Sequence, residues 1–305
     1  LPPANGYAWW YVDGLSDDGE FGVTVIAFIG SVFSPYYAWA RRREEADPFN
    51  HCALNVALYS KRSKLWSMTE RGASQVHCAP ASLSIGNSAM RWTGHALEIL
   101  IDERCAPVPR RLQGVIRISP QALCEQSFDL DAAGRHQWTP FAPCANLEVQ
   151  MRKPHIEWRG IGYLDHNHGV CPLESDFEQW TWSRSSDAES ATVFYDVEPR
   201  NTPPRSLALR ISRNGSVETI TAPPLVALPG TGWGIARRAR ADSAPEASVI
   251  RTLEDAPFYA RSLLETRVHG SRGRVIHESL NLRRFSSRWV QCLLPFRMPR
   301  AIKMT

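Results

Sequence analysis

The chain has 305 residues, 43% of them hydrophobic and 22% charged, with 35 basic against 31 acidic side chains for a net charge of +4. A chain of that size and composition builds one large core or two ordinary ones, which excludes a disordered segment or a disulfide-stapled miniprotein. The basic excess is small and sits in arginine groups, Arg41–Arg43, Arg237, Arg238 and Arg240, and the last forty residues, with no nucleic-acid module around them.

No nucleic acid is therefore expected as a partner. A weakly anionic membrane surface suits scattered arginines better, against the plainer reading of a solvated surface. Seven cysteines are spread widely with no CxxC pair, which points to reduced thiols in the cytoplasm and to no closed zinc site. No run reaches about 18 uninterrupted apolar residues, so no transmembrane helix is expected. Leu1–Gly6 carry no signal-peptide pattern, and the missing initiating methionine leaves room for an upstream segment.

The opening Tyr7, Trp9, Trp10 and Tyr11 form an aromatic cluster in which Tyr7, Trp9 and Tyr11 share one face of an extended chain. Asp13, Asp17, Asp18 and Glu20 read as a solvated turn. Gly22–Ser34 is β-branched and aromatic, a buried strand running to a turn at Pro35. Tyr36, Tyr37 and Trp39 make another aromatic patch, placed at a membrane-facing mouth or in ordinary packing. Cys52–Tyr59 is a second strand, followed by Leu65–Glu70, Leu83–Ile85, Ala96–Asp102 and Gly114–Ile118. Pro120 begins an irregular stretch, and Asn146–Met151 and His155–Gly162 resume the strand pattern. Phe177–Trp182 reads as a brief turn or helix.

Beyond it come Ala191–Val197, Leu207–Ile211, Val217–Thr219, Val275–Leu282 and Trp289–Leu293, all read as strands. Asn214-Gly215 marks a hairpin, because both residues accept the positive φ of a two-residue turn. Gly230–Gly234 lacks the lysine and following helix of a phosphate cradle and suits a tight crossing or room for a ligand. Short strands with regular turn signals predict an all-β protein, an antiparallel sandwich or barrel. The polar string Ser183–Ser190 is the expected boundary between domains 1–184 and 185–305.

The densest polar group is His136, Trp138, Tyr163 and Asp165, followed by His166, Asn167 and His168. In a strand Tyr163 and Asp165 project to one face, and His136 and Trp138 repeat that spacing. Aromatic walls can keep a carboxylic acid protonated by excluding water and can shelter a cation. Asp165 is accordingly the candidate proton donor; the competing reading makes Asp165–Gly169 a polar turn capped by the aspartate. His166 and His168 share a face, yet no further ligands can be placed, so no metal is expected. No GxSxG, HExxH, GxxxxGK[ST] or GxGxxG occurs.

The strings Gly6–Asp13, Ile26–Arg41, Asn55–Tyr59, Trp66–Arg71, Pro109–Arg111, Gly134–Pro140, Gly162–Asp165, Trp180–Arg184 and Phe194–Asp196 strongly resemble the carotenoid 1,2-hydratases, also called hydroxyneurosporene synthases. The C-terminal third is matched more loosely. The resemblance implies two tandem lipocalin-like antiparallel β-barrel domains, a class that also includes certain pericyclases. It implies addition of water across the terminal C1=C2 bond of acyclic carotenes such as neurosporene and lycopene, without a cofactor. It places the proton donor on Asp165 and accompanying pocket residues on His136, Trp138 and Tyr163. Trp9, Tyr11, Tyr37 and Trp39 are the expected contacts to a long carotenoid, and peripheral contact with the inner or photosynthetic membrane is the expected location. The run Asp165-His166-Asn167-His168 is richer in histidine than the family pattern. A non-catalytic isoprenoid carrier and a related cyclase or pericyclase are the alternative functions.

Overall fold

The structure is a computed structural model that describes residues 1–61, 63–187 and 189–301. It falls into two compact units. The first comprises Leu1–Asp129, Gly134–Pro172 and Gln291–Thr305; the second comprises Leu130–Ala133 and Leu173–Val290.

The first unit holds strands β1 (Tyr7–Ser16), β2 (Gly22–Ile29), β3 (Cys52–Tyr59), β4 (Lys64–Arg71), β5 (Val76–Ala79), β6 (Ser82–Ile85), β7 (Ser88–Trp92), β8 (Leu97–Arg104), β9 (Arg111–Pro120), β10 (Phe128–Asp129), β11 (His136–Lys153) and β12 (Ile156–Gly169). They form one antiparallel sheet in the order β4-β3-β2-β1-β12-β11-β9-β8-β7-β6-β5, with β10 added to β11. The sheet curls into a nearly closed barrel. Val12, Val25, Leu54, Ile99, Ile116 and Leu147 pack together on its inner face. Every position of β2 and β3 is buried, so both faces of these strands are covered. That explains why their sequences read as continuous apolar runs without alternation.

The turn expected at Pro35 is a short helix, α1 (Pro35–Ala40), with proline in its first turn and the Ser34 hydroxyl accepting from the Tyr37 backbone N–H. The two segments Asn146–Met151 and His155–Gly162 belong to β11 and β12, which run far longer than their apolar stretches suggested. The tail of the chain pairs with the edge of β4: Glu70 N–H donates to Pro299 O at 2.9 Å and Ala301 N–H to Glu70 O at 2.8 Å. Glu70 also carries an ion pair with Arg300 and a 3.0 Å contact with His51. An otherwise open sheet edge is thereby occupied.

The second unit holds α2 (Leu173–Asp176), β13 (Phe177–Ser186), β14 (Ser190–Pro199), β15 (Arg205–Ser212), β16 (Val217–Thr219), β17 (Leu225–Leu228), β18 (Arg237–Arg240), β19 (Ala247–Asp255), β20 (Tyr259–Val268), β21 (Ser271–Asn281), α3 (Leu282–Phe285) and the start of α4 (Arg288–Leu293). Its sheet runs β16-β15-β14-β13-β21-β20-β19, and β17 pairs with β18 as a separate hairpin. Asn214-Gly215 turns between β15 and β16 as expected, with Gly215 at φ +85°. Gly230–Gly234 lies in the loop from β17 to β18, where Gly234 takes φ +70°.

Phe177–Trp182 opens strand β13, because Trp180 and Trp182 gain cross-strand partners on β14 and β21 that no local pattern reveals. Trp289–Leu293 is helical, its run of large side chains being divided between buried Val290 and exposed Trp289 and Leu293. Ser183–Ser190 is not a linker: Ser183 to Ser186 finish β13, Asp187 caps the turn and Ser190 starts β14; Ala188 lies outside the described residues. The arginines of β18 are tied into the second unit by ion pairs and hydrogen bonds. Arg238 and Arg240 pair with Glu198 and Asp196, and buried Arg237 donates to Pro229 O at 2.7 Å and to the Thr252 hydroxyl at 2.9 Å. No helix among the described residues is long and apolar enough to cross a membrane.

Candidate active site

Strand β12 lies between β1 and β11. Tyr11 stands opposite Asp165 and Asp13 opposite Tyr163 on one side; Trp138 stands opposite Asn167 on the other. Because side chains alternate along a strand, these residues share one face of the sheet. Trp138 Nε1 donates to Asp165 Oδ2 at 2.9 Å, and the Tyr163 hydroxyl donates to the same oxygen at 3.0 Å. Asn167 Nδ2 reaches Oδ1 at 3.5 Å. Asp165 is 3% exposed, and Trp138, Tyr163 and His136 are fully buried. The polar-turn reading of Asp165–Gly169 is corrected: the segment is extended backbone inside a ladder.

His136 adjoins this set through Tyr7. The Tyr7 hydroxyl and His136 Nδ1 are 2.9 Å apart with the rings stacked, and Cys171 Sγ is 3.5 Å from Nε2. Gly169 makes the contact feasible. A Cβ there would lie 2.5 Å from the Tyr7 ring and 2.7 Å from His136 Nδ1. Trp9 stacks on Tyr7 at 5.0 Å, so two of the four expected substrate contacts, Trp9 and Tyr11, stand on the face that carries Asp165.

The other two do not join them. Buried Tyr37 donates its hydroxyl to Gly6 O at 2.7 Å, stacks on His51 at 4.7 Å and lies under Arg41. Burial pushes its phenol up to about 12. Trp39 Nε1 donates to Gln291 Oε1 at 3.1 Å. Both residues anchor α1.

The sequence reading set Tyr7 in the opening aromatic cluster and Asn167 behind the polar group without a role, and placed Asp13 elsewhere. Asp13 was read as part of a solvated turn, yet it sits inside β1 at 1% exposure and accepts from the Tyr11 hydroxyl at 2.8 Å. Tyr11-Val-Asp13 has the spacing of Tyr163-Leu-Asp165, but Asp17, Asp18 and Glu20 follow it and give the segment the composition of a solvated turn.

The opposite face of β12 lines a cavity of about 670 Å³ with Trp10, Met90, Trp92, Phe141, Leu164, His166 and His168 among its walls. His166 stacks between Trp10 at 4.9 Å and His168 at 5.3 Å. Burial pushes the His166 imidazole down to about 4, with the neighbouring His168 adding to it, and burial lowers His168 as well. Both rings are neutral at neutral pH. Sheet alternation thus separates an apolar, histidine-walled chamber from the carboxyl-bearing face.

The sequence model of the family described as "Carotenoid hydratase CrtC" matches residues 25–305. The chain is 53% identical over 296 residues to the acyclic carotenoid 1,2-hydratase of Thiocapsa roseopersicina, covering 97% of this chain and 73% of that protein. It is 46% identical over 301 residues to the acyclic carotenoid 1,2-hydratase of Rubrivivax gelatinosus, covering 98% and 74%. In fold it is similar to the crystal structure of an AttH candidate from Nitrosomonas europaea, with a TM-score of 0.65 at 12% identity over 90% of this chain and 91% of the other. It is also similar to CghA bound to Sch210972, with a TM-score of 0.56 at 10% identity over 91% and 88%.

Proposed function

The chain belongs to the carotenoid hydratase family, an enzyme family of carotenoid biosynthesis, and we propose that it adds water across the terminal C1=C2 bond of acyclic carotenoids such as neurosporene and lycopene, with Asp165 as the proton donor. The observation that carries this reading is the convergence of Trp138 and Tyr163 on one oxygen of a buried carboxyl. Trp138 and Tyr163 both donate to Oδ2, and Asn167 Nδ2 meets Oδ1 at 3.5 Å; we assign the transferable proton to Oδ1, the oxygen that neither ring group holds. An isolated alkene is a weak base and needs an acid placed against it in a site that excludes water.

Protonation at C2 forms the tertiary cation at C1. The faces of Trp138 and Tyr163, with Trp9 and Tyr11 nearby, offer ring quadrupoles to that charge. Water attacks C1 and the product leaves as the tertiary alcohol. His136, held by Tyr7, orients this end of the site. No cofactor enters the scheme. The site belongs to an N-terminal lipocalin-like barrel, and the second unit is a second lipocalin-like β domain.

The carotenoid is delivered from a membrane at the protein's periphery. On the second unit Trp233 and Trp289 are 44% and 49% exposed, with their rings 6.5 Å apart. Arg284 lies 5.8 Å from the Trp289 ring. Aromatic rings beside a guanidinium suit the lipid–water boundary.

The test is product analysis with purified protein and neurosporene or lycopene in heavy water. The expected product is the 1-hydroxy derivative with deuterium at C2, and Asp165→Asn is expected to form none. Product without deuterium at C2, or wild-type turnover by D165N, would overturn the assignment. An unhydrated carotenoid, bound or cyclised, would favour a carrier or a cyclase instead.

A further inference from the structure

Two Tyr-x-Asp units face each other across the β1–β12 pair. Tyr11-Val-Asp13 and Tyr163-Leu-Asp165 run antiparallel, with Tyr11 opposite Asp165 and Asp13 opposite Tyr163. Within each unit the phenol donates to its own aspartate, at 2.8 Å for Tyr11 and 3.0 Å for Tyr163. The two phenol rings meet edge to face at 6.2 Å. Asp13 and Asp165 are 1% and 3% exposed. The sheet therefore presents two buried carboxyls on one diagonal of the same face, where cross-strand neighbours stand roughly 7–8 Å apart.

Hydration of an alkene moves two protons, one onto carbon and one off the attacking water. In glycoside hydrolases that use one carboxyl as acid and another as base on a water molecule, the two groups stand about 6.5–9.5 Å apart, a spacing that a diagonal pair can match. Asp165 accounts for the first proton. For the second, His136 is less well disposed, because Nδ1 meets the Tyr7 hydroxyl and Nε2 meets Cys171. Asp13 is a carboxyl of matching burial that accepts from the Tyr11 phenol, on the same face as the donor.

We propose that Asp13 is the general base of the hydration, a second catalytic carboxyl beside Asp165; this rests on the reading of Asp165 as the proton donor. The Oδ1–H bond of Asp165 breaks as the alkene π pair forms the C2–H bond. A water oxygen forms the C1–O bond while the Asp13 carboxylate takes one of its protons. Asp13 then returns a proton to solvent and Asp165 regains one, so the enzyme ends as it began.

The experiment uses Asp13→Asn, with Asp13→Ser as the second variant, measured on whichever keeps the wild-type near-ultraviolet circular dichroism. General-base removal typically costs 10²–10⁴-fold, so a loss of about 10²–10³-fold in hydration kcat is expected. Azide, an anion that needs no deprotonation, is expected to restore turnover as the 1-azido carotenoid, with Asp165 still supplying the proton to C2. D165N is expected to give neither alcohol nor azide adduct. Hydration by the Asp13 variant within about threefold of wild type would overturn the proposal. So would a folded, inactive variant that azide does not restore, because Asp13 would then only position its neighbours. Activity in D165N would instead overturn the donor assignment itself, a distinguishable failure.

Discussion

The indole of Trp138 and the carboxyl of Asp165 meet through one hydrogen bond, Nε1 to Oδ2 at 2.9 Å, with both side chains buried. The bond crosses from β11 to β12 and fixes the rotation of the carboxyl, leaving Tyr163 to complete the Oδ2 side. Trp138→Phe keeps a ring in the same place and removes only the donor and part of the volume. We expect kcat to fall about 10–100-fold with KM changed far less, and stability to fall by roughly 1–3 kcal/mol, the cost of an unmatched buried polar group. Steady-state kinetics and thermal melting check this; wild-type kcat would show that the indole N–H does not orient the acid.

How much of this was legible in the sequence follows from what strands encode. The period-two spacing of Tyr163 and Asp165 was sufficient to put phenol and carboxyl side by side, and the same rule gave Trp138 its face. The buried runs of β2 and β3 were visible because strands covered on both faces carry apolar residues throughout. Asp13 was hidden because its local sequence is acidic, and part of its cover comes from β12, far along the chain. Phe177–Trp182 failed for a related reason: it is set between β14 and β21, and the β21 partner lies about a hundred residues further along the chain. Trp289–Leu293 failed because a short apolar run does not distinguish helix from strand.

Gly169 gives a second test. Its missing side chain is what allows the Tyr7 ring and His136 Nδ1 to approach, with a built Cβ falling within 2.7 Å of both. Gly169→Ala must displace one of two buried rings in the β1–β12–β11 ladder. Overpacking of this kind costs about 1–3 kcal/mol, and we expect hydration to fall about tenfold or more, as a shift of about 1 Å near a reacting centre can cost 10²-fold. The variant's melting temperature and kcat, measured together, decide it. Unchanged activity would mean that the Tyr7–His136 contact has no part in the reaction.

Acid sensitivity of the second unit should trace to His277. The ring is 1% exposed, Nε2–H donates to Arg238 O at 2.8 Å, and buried Nδ1 has no hydrogen-bond partner among the described residues. Burial, with the Arg237 charge acting in the same direction, lowers this imidazole from 6.5 to about 4. Between those values the unfolded chain takes up a proton that the folded chain refuses. The stabilisation is therefore whole above pH 6.5 and is lost progressively as pH falls toward 4. The slope is about 1.4 kcal/mol per pH unit. His277→Gln should flatten the fall in denaturation midpoint between pH 6.5 and 4 in urea titrations. An unchanged acid slope would place the sensitivity elsewhere.

The two faces of β12 serve different spaces. Leu164, His166 and His168 look into the barrel cavity, while Tyr163, Asp165 and Asn167 look away from it. A chain of sp² carbons cannot pass through a hydrogen-bonded sheet, so a carotenoid end at Asp165 does not also occupy the cavity. Leu123 lines the cavity and is 42% exposed, which leaves room for a larger side chain without strain in the core. Leu123→Trp should fill part of the chamber and weaken binding of an apolar fluorescent probe there by about tenfold, the equivalent of 1.4 kcal/mol. Hydration kcat should stay within about threefold of wild type, the range of substitutions remote from a reacting centre. If the folded variant instead loses hydration, the substrate runs through the barrel interior, and the histidine face of β12 rather than the aspartate face meets the alkene.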